Sequence, residues 1–111
     1  MIIEMHVHVF PDALAGRAKA ALEQTSGIAA CTTLTESDTR QLLRRSDVAL
    51  GVVMPIATKP SQQRTINDWA AAIQTEGLLC FGTVHPLAQD AVSELRRLPV
   101  LGLRGVKLHP D

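Results

Sequence analysis

Four short apolar runs, 2–11, 48–56, 78–84 and 103–110, punctuate this chain, and each is separated from the next by a longer stretch with helical spacing. No two-residue hairpin signal joins any of them. Strands connected this way cannot lie antiparallel through tight turns, so the pattern predicts parallel strands joined by crossover helices, an α/β fold. The second run, VALGVVMPI, is apolar almost throughout, the pattern of a strand covered on both faces. Aromatic residues make up 3% of the chain and Tyr is absent, so the core has to be filled by Leu, Val, Ile and Ala.

The intervening stretches read as helices. Residues 11–24 place Leu14, Ala18, Ala21 and Leu22 at helical spacing behind Pro11, with Gly16 weakening the segment. Residues 25–35 are small and polar and read as a loop. A second helix over 36–46 has Thr35 or Ser37 as its cap and Leu42 and Leu43 as its buried stripe. A third, from Ser61 to Glu76, carries Ile66, Trp69, Ala70 and Ile73 on one face and stops at Gly77, with Trp69 as an anchor between helix and sheet. A fourth, over 88–98, is expected to bury Ala91, Leu95 and Leu98 before Pro99 ends it. No linker divides residues 1–111, which read as one domain. The last strand has no helix after it, so Val106 and Leu108 would lie bare on one face, and the sequence reads as cut within a larger fold.

The chemistry gathers at the ends of the strands. His6 and His8 are two residues apart, so in a strand both imidazoles leave the same face. Phe10-Pro11-Asp12 turns the chain directly afterwards, which puts the pair at the C-terminal end of the strand, where parallel α/β folds build their sites. Two neighbouring imidazoles are half of a metal site. The third strand closes on His85-Pro86, where the histidine reads either as a turn residue bonding nearby backbone or as a site residue. The fourth delivers Lys107 and His109 to a shared face.

Composition narrows the function classes. Eleven basic and eleven acidic residues balance, and no charge run exceeds two residues, so nothing marks a nucleic-acid or anionic-membrane partner. No apolar run approaches the length of a membrane span. The first strand starts at residue 2 without a basic leader, so a cytoplasmic protein is expected. Cys31 and Cys80 form no CxxC and are each expected as a reduced, buried or half-buried thiol. No glycine-rich phosphate loop follows any strand.

Taken together and in order, MHVHVFPD, VVMPIATKP with the later IND, FGTVHP and the closing GLRGVKLHPD resemble the N-terminal half of a metal-dependent hydrolase of the amidohydrolase superfamily. The resemblance spans the whole chain and points to the amidohydrolase-related branch near aminocarboxymuconate-semialdehyde decarboxylase. It implies a (β/α)8 TIM barrel, of which this chain supplies about four strands and their crossover helices as a half-barrel. It implies that His6 and His8 ligate a divalent metal, commonly zinc, and that Lys107, His109 and His85 touch substrate or support the ligands. In that superfamily further histidines follow the fifth and sixth strands and an Asp follows the eighth, and none of those strands is in this sequence. Some branches use a carboxylated fourth-strand lysine as a metal bridge; the KLHP pattern instead places Lys107 with the substrate contacts. The implied reaction is hydrolysis of a C–N or C–O bond in a small organic molecule by metal-activated water, or, in the decarboxylase branch, nonoxidative decarboxylation. On this reading the chain alone lacks its general base and half its ligands and is inactive by itself. It needs a second half or a homo-oligomeric partner; the rival expectation is an inert α/β module.

Overall fold

The computed structural model describes residues 1–109; the parts of the expected fourth strand at Pro110, and Asp111 after it, lie outside the described residues. Strand β1 (Ile2–Val7) leads into helix α1 (Asp12–Ser26), and helix α2 (Glu36–Arg45) returns the chain to strand β2 (Val48–Val53). A 3-10 turn at Pro60–Gln62 opens helix α3 (Gln63–Ile73). Strands β3 (Leu78–Cys80) and β4 (Gly82–Thr83), helix α4 (Ala91–Arg97) and strand β5 (Val106–Lys107) complete the order.

Local chemistry accounts for most boundaries. Gly27, at φ +70°, ends α1 in the left-handed conformation and returns its N–H to the Glu23 carbonyl. Thr35 caps α2 by accepting from the Asp38 N–H, with Glu36 and Asp38 in the first turn and Arg44 and Arg45 in the last, each sign suited to its end of the helix dipole. Strand β2 stops at Val53, short of the expected 56, because Pro55 has no N–H to give a ladder. Helix α3 stops at Ile73 rather than Glu76, since the Gln74 side chain turns to accept from the Cys80 N–H and donate to the Gly102 carbonyl.

Every strand pairing is parallel. One sheet has the order β1-β2-β3 and a second pairs β4 with β5. The two meet at Phe81. Its N–H donates to the Val53 carbonyl at 3.0 Å, and the next residue, Gly82, donates to the Gly105 carbonyl at 2.8 Å. The path 78–83 therefore leans on β2 with its first half and on β5 with its second. Counting it as one strand, the spatial order follows the chain order.

The helices cover one face of this array. Val7, Val9, Val53, Leu78 and Cys80 from the strand side meet Leu43, Ala70, Ile73, Leu98 and Leu103. Gly51 lets α2 sit close: a Cβ there would stand 2.7 Å from Leu43 Cδ1. Trp69 packs half-buried against this core, as an anchor should.

Three packing expectations are corrected. Helix α4 begins at Ala91 and leaves Leu95 38% exposed, while Glu94 is buried at 2%, because a hydrogen-bonded charge network and not an apolar stripe fills that interface. Helix α1 buries only Ala15, and Leu14 is 44% exposed, because its stripe faces a hollow and not a packed neighbour. Cys80 is buried as expected, but Cys31 is exposed, in the loop after α1. No helix among the described residues is long and apolar enough to cross a membrane.

Candidate functional site

The end of β1 presents two imidazoles to each other. His6 lies in the strand and is exposed; His8, just past it, is half-buried. Their Nε2 atoms stand 3.0 Å apart, with ring centroids at 4.8 Å and planes crossed at 62°. The strand explains the convergence. A spacing of two returns both side chains to one face, while Val7 and Val9 between and beyond them go into the core.

The neighbouring strand end fixes the orientation. His8 Nδ1 lies 3.1 Å from the Met54 carbonyl. A carbonyl only accepts, so Nδ1 carries the proton there, and the neutral ring keeps its lone pair at Nε2, facing His6. Metal-ligating histidines are held in the same way, with the far nitrogen donating to a carbonyl. Burial holds the His8 imidazole below the ordinary histidine value; the charges of His6, Lys107 and His109 push in the same direction, and the Met54 carbonyl opposes them. The ring is therefore neutral and available as a nitrogen donor near pH 7.

The same electrostatics couple this pair to the last strand. Lys107, half-buried in β5, and His109, half-buried beyond it, both act on His8. His85 is held differently. It is buried, its N–H donates to Gln63 Oε1, and its Nδ1 accepts from the Leu87 N–H. That leaves Nε2 as its remaining nitrogen.

A polar clip behind the mouth holds these strand ends. Gln63, 1% exposed, spans from the His85 N–H to Asp90 Oδ1, to which its Nε2 donates at 2.8 Å. Asn67, one turn on and fully buried, reaches Thr83 and the Glu94 carboxylate. Thr83 Oγ1 in turn donates to the Lys107 carbonyl at 2.9 Å. Reading the sequence missed Gln63, Asn67 and Glu94. The available signal was the i, i+4 spacing of Gln63 and Asn67 beside the apolar stripe of α3, which places both toward the sheet.

Under α1 lies a hollow of about 490 Å³, lined by apolar groups including Val9, Phe10, Leu14, Ile56, Ile66 and Trp69, with His109 also on its wall. That volume falls in the range of small-molecule sites.

Among the described residues, no group of three or more His, Cys, Asp or Glu side chains is placed to hold a metal. Two nitrogens on one tetrahedral zinc at about 2.05 Å lie about 3.3 Å apart. The observed 3.0 Å needs only a small opening. No protein-family model, no curated protein and no solved structure matches this chain.

Proposed function

We propose that this chain forms the first four strands of a (β/α)8 metal-dependent hydrolase, with His6 and His8 as two ligands of a divalent metal. Zinc suits the donors best, since paired neutral imidazoles are among its usual ligands. The observation that carries the reading is the convergence of the two Nε2 atoms at 3.0 Å with His8 Nδ1 tied back to the Met54 carbonyl. The sequential parallel strand order, with the polar residues at the C-terminal ends, supports the barrel reading.

When bound, such a metal lowers the pKa of a coordinated water and polarises a carbonyl. The chain's own residues do the rest. His8 is kept neutral and aimed. Lys107 brings positive charge, and His109 a ring nitrogen, toward the same mouth, which suits a substrate with an anionic group beside the bond to be cut. The apolar hollow takes the hydrocarbon part of that substrate and keeps water from it.

Calorimetric zinc titration of the chain tests the reading. Uptake is expected in the unmodified protein, with affinity reduced roughly tenfold or more in His6→Ala and in His8→Ala. Equal uptake by all three proteins would refute it.

A further inference from the structure

The apolar face of α1 lines the hollow beneath it: Leu14, Ala18, Ala21 and Leu22 are all on the wall, and Ala15 is the one buried residue of the helix. Gly16, in the second turn, loosens the helix further. Across the hollow α3 contributes Ile66 and Trp69, and the segments after β1 and β2 contribute Phe10 and Ile56. Phe10 and Trp69 are two of the three Phe, Tyr and Trp residues of the whole chain. Rings of this kind carry the largest apolar surfaces of any side chains, so the hollow is built as an apolar seat. Its volume of about 490 Å³ is about three times the ~150 Å³ that holds a benzene, so it takes a hydrocarbon body larger than one ring.

Two polar groups on the wall can only donate to a ligand. Arg17, from α1, is on the wall and yet exposed, so it stands at the rim. A guanidinium is a fork of donors with no acceptor. Gln62 is half-buried on the wall, and its carboxamide oxygen is already committed: it accepts from the Thr58 N–H at 3.0 Å, the Thr58 hydroxyl at 3.1 Å and the Lys59 N–H at 3.1 Å. What that amide offers a ligand is its Nε2 N–H groups. Donors of this kind, one of them cationic, suit a carboxylate.

We propose that the hollow under α1 binds an amphipathic monocarboxylate, with its hydrocarbon body between α1 and α3 and its carboxylate on donors of the wall, Arg17 foremost. The binding uses this chain's own side chains and does not rest on the metal-binding reading above. The hydrocarbon body gives the apolar face of α1 a partner to pack against, so affinity grows with the length of the body. The guanidinium sets the sign of the head group.

Trp69 is the only tryptophan of the chain and lies on the wall, so its fluorescence reports occupancy directly. Titration with hexanoate, heptanoate and octanoate in the presence of EDTA is expected to give a saturable blue shift, with affinity rising about three- to fourfold per added methylene. Arg17→Gln is expected to weaken octanoate about two- to fivefold and to leave octan-1-ol unchanged. Ala18→Leu, which fills part of the hollow, is expected to weaken both while keeping the circular dichroism spectrum of the unmodified chain. No saturable change, the result that a seat for a second copy or for a further segment of chain would give, would overturn the proposal. Octylammonium binding as tightly as octanoate would overturn it too, as would octanoate affinities unaltered in both variants. Octanoate binding beside a failed zinc titration would remove the metal-binding reading and uphold this one; zinc uptake without octanoate binding would do the reverse.

Discussion

The carboxamide of Asn67 grips both main-chain polar groups of Thr83: Oδ1 accepts from its N–H at 2.8 Å and Nδ2 donates to its carbonyl at 2.9 Å. A helix side chain thereby does for β4 what a neighbouring strand does elsewhere in a sheet. The same Nδ2 also donates to Glu94 Oε1 at 2.8 Å. Replacing Asn67 with Leu, close in volume, removes the partner of the Thr83 N–H and carbonyl, at about 1–3 kcal/mol each, while Glu94 keeps its bonds from Arg97. Asn67→Leu is expected to lower stability by about 2–4 kcal/mol, read as a fall in the urea midpoint without a change in slope.

Acid should loosen the same region. The Arg97 guanidinium, donating to both Glu94 oxygens, holds the Glu94 carboxyl below its ordinary value of 4.5; burial opposes this, and Asn67 adds to it. The folded chain therefore binds that proton less readily than the unfolded chain. The stabilisation is complete above pH about 4.5 and is lost as the pH falls through the lower, folded value. Thermal melts from pH 6 down to pH 3 are expected to show this loss, and Glu94→Gln should flatten that part of the curve while lowering stability at pH 6.

The two thiols should separate cleanly in a labelling experiment. Burial pushes the Cys80 thiol up to about 11, and its side chain is out of reach of solvent, whereas Cys31 is exposed. At pH 8 a thiol reagent is expected to modify one cysteine per chain within minutes and the second only after denaturation. Cys31→Ser should remove the fast phase alone.

Gly105 is predicted to tolerate no side chain. A Cβ there would meet Phe81 ring atoms at 2.4 to 2.5 Å, and a rigid ring cannot give way as a flexible side chain does. Gly105→Ala is expected to cost about 1–3 kcal/mol, with partial recovery in the Gly105→Ala/Phe81→Leu double variant. Equal stabilities in a denaturation series would show that the ring moves freely.

How far the sequence revealed this molecule depends on the kind of residue. Val52 and Val53 of β2 and the stripe Ala70 and Ile73 on α3 were legible because burial follows their hydrophobicity, whereas the first half of β2, expected to be covered on both faces, leaves Ala49 exposed and Val48 and Leu50 half-buried. His6 and His8 were legible because a spacing of two has one meaning in a strand. Gln63, Asn67 and Glu94 were hidden because polar letters read as solvent face, and only the tertiary partners that satisfy them allow their burial. Leu14 and Leu95 misled for the opposite reason: helical spacing states which face is apolar, and says nothing about whether a neighbour covers it.

The change of neighbour at Phe81 has a geometric consequence. β1 shares its rows with β2 up to Val7, level through Val53 with Cys80, whereas β5 joins only at Gly82 and Thr83. The array climbs like a staircase, and its first and last treads overlap in no row. That upward drift goes with a last strand of only two residues, whose Lys107, with His109 beyond it, lies within electrostatic reach of His8 on the opposite flank of the array.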